Sequence, residues 1–313
     1  MTTIIQIVQH LRPGGIETMA LDLLSFGSKS STCYIVSLED TFENAVRQWP
    51  RLAPFRKNLL FLNKKPGFQP NLFTTLFRLF RSLDPVAIHT HHIGPLIYAG
   101  IAGKAFGVPS HVHTEHDAWH LDNKKQRKLQ RYALKIANPT LVADSDAVAV
   151  GLENHYKNRP ITVIRNGINT EHFVPGNRTI SRLLFGLPID KKVIGCSGRM
   201  EIVKGQHFLL DALRLLSDDI HLAIAGSGTQ EANLKSQAKS LNIESRVHFL
   251  GHLDNMNSFY QALDVFCLPS LNEGFPLSPL EAQSCGVRTV VTNVGGSIET
   301  ICPHTGDAVE KEN

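Results

Sequence analysis

Short runs of apolar, β-branched residues alternate with longer amphipathic stretches along the whole chain, and this alternation restricts the fold more than any other feature. The first half contains seven runs, at residues 4–8, 33–37, 59–62, 86–90, 111–114, 140–143 and 161–164. The second half contains five, at residues 193–196, 222–225, 247–250, 265–268 and 289–291. Strands that alternate with helix-length stretches predict βαβ units and parallel sheets with helices on both faces.

The pattern breaks at residues 166–180, which contain an Asn-Gly and a Pro-Gly turn sequence and no periodic apolar positions. A length of 313 residues is also typical of two domains. We therefore predict two Rossmann-like domains, residues 1–168 and residues 169–313. Within the first of them, apolar residues at helical spacing predict a helix over residues 15–26.

Composition excludes several classes of protein. Hydrophobic residues make up 42% and charged residues 19% of the chain, so a disordered protein is excluded. The net charge is +4 without a long basic block, so no nucleic acid is expected as a partner. The five cysteines are widely spaced and never form a Cys-x-x-Cys pair, which is typical of reduced cytoplasmic proteins. Neither a secretion signal nor an apolar run of about 18 residues occurs, so no membrane span is predicted.

Two loops that follow predicted strands are candidates for phosphate binding, because ligands of parallel sheets bind at the carboxyl ends of the strands. Gly14 and Gly15 follow the first strand, although alone they favour a tight turn over a ligand site. Arg199 and Lys204 follow the first strand of the second domain and indicate a diphosphate site or a solvated loop equally. Gly226-Ser227-Gly228 lacks the third glycine of a dinucleotide fingerprint, and no Walker sequence occurs.

Two carboxylates eight residues apart are the most informative feature of the second domain. Glu273 lies in a loop after the strand predicted at residues 265–268, and Glu281 lies in the helix that follows. A carboxylate can accept two hydrogen bonds from a vicinal diol, so the pair is suited to a ribose and a second sugar ring. Both positions can face a crevice at the edge of the sheet.

These residues resemble the retaining GT-B glycosyltransferases of family 4, whose second domain carries a Glu, seven residues, Glu signature. The resemblance extends over nearly the whole chain in the family's order, through Gly14-Gly15, Glu115-His116-Asp117, Ser145, Asn166-Gly167-Ile168, Gly198-Arg199, Lys204-Gly205 and Gly226-Ser227-Gly228. Each motif alone is weak, but seven in order are a strong indication. The implied fold is α/β, with two Rossmann-like domains that face each other across a cleft.

The resemblance implies a nucleotide-sugar donor bound mainly by the second domain. Arg199 and Lys204 would hold its diphosphate, Glu281 the ribose, and Glu273 the transferred sugar. Backbone N–H groups of the loop after Glu273 would assist, at Gly274, Phe275 and Leu277. No cofactor is expected, and a uridine nucleotide is the default donor.

The resemblance also implies roles in the first domain, which would hold the acceptor. Gly14 and Gly15 would line the donor phosphate or the acceptor, and His116 matches the active-site histidine of the family. Retention of anomeric configuration by same-face attack is implied as well. No divalent metal is needed, because two cations and helix N-termini carry the charge of the leaving group.

Seven histidines crowd the ends of two neighbouring strands, at His89, His91, His92, His111, His113, His116 and His120. Such a cluster invites a zinc site, but neither His-Glu-x-x-His nor His-x-x-Glu-His occurs. Imidazoles that lie close together are as easily satisfied by backbone groups and water. We therefore expect no bound metal.

Two helical segments are candidates for contact with a membrane. The first contains Phe73, Leu76, Phe77 and Phe80 and is more typical of a core helix. The second has six cations between Lys124 and Lys135, interleaved with Leu129, Tyr132 and Leu134. A solvated helix face explains it, but docking on an anionic surface is the alternative hypothesis. The protein is thus expected in the cytoplasm or peripherally on the inner face of the membrane.

The leading prediction is a retaining hexosyltransferase that acts on a glycan or lipid-linked acceptor in surface polysaccharide biosynthesis. A nucleotide-sugar epimerase of the same fold would use the same donor contacts without an acceptor. A catalytically silent nucleotide-sugar-binding protein is the third possibility. Members of the family usually continue beyond the Gly295-Gly296 turn, so the second domain is expected to lack the usual final helices.

Overall fold

A computed structural model describes residues 2–28 and 30–311 of the chain. The chain divides into an N-terminal unit, Met1–Asn166, and a C-terminal unit, Gly167–Asn313. This division lies two residues before the boundary proposed from the sequence.

The N-terminal unit contains a seven-stranded parallel sheet. Its strands are β1 (Thr2–Val8), β2 (Ser31–Glu39), β3 (Leu59–Lys64), β4 (Pro85–His91), β5 (Ser110–Glu115), β6 (Thr140–Ala143) and β7 (Ile161–Val163). They are arranged in the order β3-β2-β1-β4-β5-β6-β7. The order reverses between β1 and β4, and ligands of such sheets bind beside this reversal, at the carboxyl ends of the strands.

The helices of this unit are α1 (Gly15–Phe26), α2 (Phe42–Gln48), α3 (Asn71–Leu83), α4 (Ile93–Pro95), α5 (Ile101–Phe106), α6 (Lys124–Ala137) and α7 (Asp146–His155). A π-helical segment, Leu96–Gly100, joins α4 to α5, and 3₁₀ segments span Pro50–Asn58 and Trp119–Asp122. Helix α6 begins where the Asn123 side chain accepts from the N–H groups of Lys125 and Gln126. Helix α3 buries Leu76 and Phe80 but leaves Phe77 38% exposed.

The C-terminal unit contains a six-stranded parallel sheet with the same reversal. Its strands are β8 (Lys192–Ser197), β9 (Ile220–Ala225), β10 (Val247–Gly251), β11 (Val265–Leu268), β12 (Arg288–Thr292) and β13 (Gly306–Val309), in the order β10-β9-β8-β11-β12-β13. The reversal lies between β8 and β11. Sequence periodicity predicted the first five of these strands and missed β13, a four-residue edge strand that is largely exposed.

The helices of this unit are α8 (Arg178–Phe185), α9 (Gln206–Leu215), α10 (Glu231–Ser240), α11 (Met256–Gln261) and α12 (Ser278–Ser284), with 3₁₀ segments at Ile202–Lys204, Glu244–Arg246 and Ser297–Thr300. Helix α8 begins inside the segment predicted to be irregular. It is fixed by Arg182, which is buried and donates to Asp264 Oδ2 at 2.6 Å. Its apolar face is turned outwards, with Ile180, Leu183 and Leu184 all exposed, and this explains why periodicity did not reveal it as a core helix.

Candidate active site

Two loops at the strand reversal of the C-terminal unit contact each other through their backbones. The loop after β8 starts at Gly198, whose φ of 139° is a left-handed value that favours glycine. The loop after β11 reaches it where the Leu271 N–H donates to Val203 O at 2.8 Å. The reversal therefore brings together the two loops that carry the predicted donor-binding residues.

Glu273 and Lys204, predicted to contact different parts of the donor, form a direct ion pair. Lys204 Nζ donates to Glu273 Oε1 at 2.6 Å, and Ser270 Oγ donates to the same oxygen at 2.6 Å. The Glu273 side chain is only 7% exposed, whereas that of Lys204 is 21% exposed. Two charge-assisted bonds thus fix the carboxylate in one orientation at the edge of the sheet.

Glu281 is held by a tyrosine that the sequence did not single out. The hydroxyl of Tyr260, in α11, donates to Glu281 Oε2 at 2.6 Å and lies 3.3 Å from Ser197 Oγ at the end of β8. Burial, and then the neighbouring Glu281, raises the pKa of Tyr260 well above its ordinary value, so the hydroxyl remains a donor. Glu281 itself lies in the first turn of α12, which also contains Pro279.

The remaining predicted donor contacts lie on the same two loops. Arg199 is exposed, and its carbonyl accepts from Gln206 Nε2 at 3.0 Å. The Gly274 carbonyl accepts from the Gly296 N–H at 2.9 Å. Phe275 and Leu277 are 8% and 9% exposed, so their side chains belong to the core beneath the loop. A contact from these two residues to a ligand would have to come from the backbone.

In the N-terminal unit, Gly14 and Gly15 lie at the start of α1 beside a buried acid. Glu17 is 4% exposed, and its Oε1 lies 3.2 Å from His10 Nδ1. A Cβ at position 14 would come within 2.3 Å of Glu17 Oε2. An alanine at position 14 would therefore force the Glu17 carboxylate to shift, while Gly15 is open, with nothing within 4 Å of an added Cβ.

His116 is the centre of a buried chain of hydrogen bonds. Its Nδ1 lies 3.0 Å from Asp144 Oδ2, and its Nε2 lies 3.0 Å from His91 Nδ1. Asn166 Nδ2 donates to the same carboxylate oxygen at 3.2 Å. Because a carboxylate only accepts, Nδ1 of His116 carries the hydrogen, and in neutral His116 the Nε2 lone pair accepts from His91. Asp144 was not predicted from the sequence. It directly precedes Ser145, and an acidic residue next to that motif could have indicated it.

Four histidines of the cluster have lowered pKa values and are held neutral. Burial, followed by the charges of neighbouring histidines, lowers the pKa of His89 to about 3 and that of His92 to about 4. The same causes lower the pKa of His91, and burial, followed by His113, lowers that of His111 to about 3. For His120, burial opposes the charge, but Asp117 and Glu115 outweigh it and raise the pKa to about 9.

The histidines bond to side chains rather than converge on one point. His89 Nε2 lies 2.8 Å from Thr114 Oγ1, and His113 Nε2 lies 2.7 Å from Glu115 Oε1. Within residues 2–28 and 30–311, no three or more His, Cys, Asp or Glu residues form a group that could hold a metal ion. Over the same residues, no helix combines the length and hydropathy that a membrane span requires.

Two Rossmann-like parallel sheets, each with polar side chains at its strand reversal, are characteristic of the GT-B class. Residues 13–172 match Glycosyltransferase Family 4, and residues 180–313 match Glycosyl transferases group 1. The chain belongs to glycosyltransferase family 4.

Solved structures agree with this fold. The structure of Anabaena Alr3699/HepE in complex with UDP-glucose matches with a TM-score of 0.85 and 22% identity, over 100% of this chain and 86% of that one. WaaG, a glycosyltransferase involved in lipopolysaccharide biosynthesis, matches with a TM-score of 0.72 and 15% identity, over 99% of this chain and 86% of that one.

Characterised relatives are similar over part of their length. The lipopolysaccharide core biosynthesis mannosyltransferase LpsB of Rhizobium meliloti is 35% identical over 51% of this chain and 49% of its own length. The UDP-Gal:alpha-D-GlcNAc-diphosphoundecaprenol alpha-1,3-galactosyltransferase of Escherichia coli is 29% identical over 71% of this chain and 62% of its own length. The chain thus spans about half the length of the first relative.

Proposed function

We propose that this chain is a retaining glycosyltransferase that moves a hexose or hexosamine from a nucleotide sugar to a glycan or lipid-linked acceptor in surface polysaccharide biosynthesis. The observation that carries the proposal is the pair of anchored carboxylates, Glu273 and Glu281, at the strand reversal of the C-terminal unit. Relatives named as a mannosyltransferase and a galactosyltransferase support it.

In this proposal the diphosphate of the donor is bound by Arg199 and Lys204. An ammonium group has three donors, so Lys204 can bind a phosphate oxygen while it still donates to Glu273. Glu273 then faces the hydroxyls of the transferred sugar, adjacent to the departing diphosphate. A single lysine would couple the position of the sugar-binding carboxylate to the leaving group.

Glu281 is proposed to accept from the ribose hydroxyls. Tyr260 holds it in place, since a neutral, buried hydroxyl is a fixed donor to the carboxylate. A uridine nucleotide remains the proposed base, supported by the UDP-glucose complex of the similar Anabaena protein. Neither a metal nor a cofactor is part of the proposal, because the two cations carry the charge of the leaving diphosphate.

His116 is proposed to contact the reacting sugar, as its family counterpart does. Asp144 and His91 act as positioning residues that fix its ring and its tautomer through bonds of 3.0 Å each. Same-face attack would leave the anomeric configuration unchanged, with the departing phosphate oxygen taking the proton of the acceptor.

Donor binding is tested by calorimetric titration with UDP, GDP and ADP in the absence of divalent metal. We expect one nucleotide to bind, and the Arg199→Ala, Lys204→Ala double variant to weaken its affinity about a hundredfold, because two charge-assisted contacts are lost. A Lys192→Ala, Lys239→Ala variant is the matched control, since it removes two exposed cations of the same unit, one of them at the amino end of β8. Binding that survives in the first variant would contradict the proposal.

We also propose that α6 docks on the anionic inner face of the membrane. Leu129, Tyr132 and Ile136 are 50%, 57% and 50% exposed and follow helical spacing on one face. The cations of α6 surround them without an acidic residue in the helix. Leu134, by contrast, is 2% exposed and belongs to the core. Exposed apolar residues flanked by cations are typical of interfacial helices.

Replacing the six cations by Gln should abolish co-sedimentation with phosphatidylglycerol vesicles, because each contributes about 1 kcal/mol near such a surface. The changed residues are Lys124, Lys125, Arg127, Lys128, Arg131 and Lys135. Phosphatidylcholine vesicles are the lipid control, and the Lys192→Ala, Lys239→Ala variant is the protein control. Unchanged sedimentation of the six-fold variant would remove the docking proposal.

A further inference from the structure

Three residues that are not glycine adopt left-handed backbone conformations at one edge of the N-terminal sheet. Asp40 follows β2 with a φ of 70°, Asn63 lies near the end of β3 with a φ of 50°, and His92 follows β4 with a φ of 68°. His92 also has a ψ of 163°, a combination that is nearly restricted to glycine. Strain of this kind persists at functional sites, so this edge of the sheet is a place to look for a ligand.

Three polar side chains at the same edge, Gln9, Glu39 and Lys64, form a connected row that we call the polar chain. Gln9 Nε2 donates to Glu39 Oε1 at 2.5 Å, and Lys64 Nζ lies 3.9 Å from that carboxylate oxygen. The Lys64 side chain is 8% exposed and that of Glu39 is 29% exposed. Lys64 donates to the Lys65 carbonyl at 3.0 Å, which uses one of its three donors.

The gap between Lys64 and Glu39 suits a hydroxyl group. A distance of 3.9 Å is too long for a hydrogen bond between the two groups. A hydroxyl can accept from the ammonium and donate to the carboxylate at once, whereas a phosphate dianion can accept from Lys64 but has no hydrogen to donate to Glu39. The polar chain therefore favours an uncharged polyhydroxyl ligand.

An exposed aromatic ring is connected to the polar chain through Tyr98. Phe68 is 68% exposed and stacks on Tyr98, with ring centroids 5.8 Å apart and an interplanar angle of 21°. Tyr98 is fixed in turn, since its hydroxyl accepts from the Gln69 N–H at 2.9 Å. Lys64 Nζ lies 5.9 Å from the Tyr98 ring centroid and so links the aromatic pair to the polar chain. Phe68 is a pre-ordered apolar surface that is largely open to solvent.

We propose that Gln9, Glu39, Lys64 and Phe68 form a subsite for a neutral sugar ring of the acceptor, an inference that rests on the proposed glycosyltransferase function. The C–H face of the sugar lies on Phe68, and one of its hydroxyls bridges Lys64 and Glu39. An aliphatic lipid chain is disfavoured, because it offers no polar group to Lys64 or Glu39. These residues thus determine which sugar the enzyme extends.

The subsite is tested by saturation-transfer NMR with methyl glycosides of glucose, galactose, mannose and N-acetylglucosamine, using the whole chain. We expect at least one glycoside to bind, and Phe68→Ala and Glu39→Gln each to weaken its affinity about tenfold. Phe26→Ala and Glu43→Gln are matched controls, because both residues are exposed in the same unit and lie outside the subsite. The controls should leave glycoside binding unchanged.

Three results would overturn the inference: no glycoside binds, the subsite variants bind as well as the controls, or Phe68→Ala instead abolishes binding to phosphatidylglycerol vesicles. UDP titration of the same variants separates this failure from that of the proposed function. Intact UDP binding without glycoside binding would reject the subsite alone. Glycoside binding that depends on Phe68, without any nucleotide binding, would reject the transferase and leave a sugar-binding surface.

Discussion

The N-terminal unit is expected to lose stability steeply as the pH falls below 6.5, because four buried or half-buried histidines fold in the neutral form. The pKa values of His89, His92 and His111 are lowered to about 3, about 4 and about 3, and that of His91 is lowered as well. Above pH 6.5 neither the folded nor the unfolded chain binds protons at these histidines, so they do not lower the free energy of unfolding. Below it the unfolded chain binds protons that the folded chain excludes, which lowers the unfolding free energy by about 1.4 kcal/mol per pH unit for each histidine.

Four such groups together approach the whole stability of an ordinary domain, about 5–15 kcal/mol, within two or three pH units. His120 acts in the opposite sense, because its pKa is raised to about 9. Its contribution is complete below pH 6.5 and is lost as the pH rises through about 9. The N-terminal unit should therefore be most stable near pH 6.5.

Hydrogen exchange followed by mass spectrometry, at several pH values and corrected for the intrinsic exchange rate, resolves the two units of one chain. His89→Gln should make the unfolding free energy of the N-terminal unit less dependent on pH, by the slope that corresponds to about one bound proton. The C-terminal unit serves as the internal control, because two of its histidines, His221 and His248, have lowered pKa values, against four in the N-terminal unit. Equal acid resistance of both units would contradict the prediction.

Replacing Glu273 by Ala is expected to lower kcat about a hundredfold to a thousandfold, which is typical of losing one preorganised polar group at a reacting centre. UDP affinity should be retained, because Lys204 keeps its donors for the phosphate when the carboxylate is removed. Glu273→Gln keeps the shape of the side chain but loses its charge, so it should lower kcat as well. Steady-state transfer kinetics together with UDP titration separate the two effects.

Glu244→Ala is the matched control, since Glu244 is an exposed acid of the same unit. It should leave both kcat and UDP affinity unchanged. A Glu273→Ala enzyme with normal kcat and intact UDP binding would remove Glu273 from the reaction. Loss of UDP binding together with thermal stability would instead indicate that the carboxylate holds the loop after β11 in place.

Local patterns predicted the fold because strand and helix periodicities repeat within a few residues. Helix α1 has the bounds expected from its apolar spacing, and β6 and β11 match their predicted runs. The contacts within the candidate site were not predictable in the same way. Lys204 and Glu273 are 69 residues apart, and Tyr260 and Glu281 are 21 apart. Only the packing of neighbouring strands brings such residues together, and no local periodicity encodes it.

Helix α6 illustrates the same limit on one element. Its apolar residues are interleaved with cations, and the sequence does not say which of them face the core. The structure buries Leu134 and exposes Leu129 and Tyr132, because the helix packs on the sheet along a different stripe. The exposed stripe is the part that supports membrane docking, and it became visible only when the orientation of the helix was known.

The glycines behind the candidate site connect its loops by direct backbone contact. A Cβ at Gly226 would lie 2.0 Å from Gly198 O, and one at Gly295 would lie 1.8 Å from Glu273 O. A single methyl group at either position would therefore displace a loop that carries proposed ligand contacts without itself touching the ligand. The geometry of the site can thus be altered from behind, by a substitution at Gly226 or Gly295, while every side chain proposed to face the ligand stays the same.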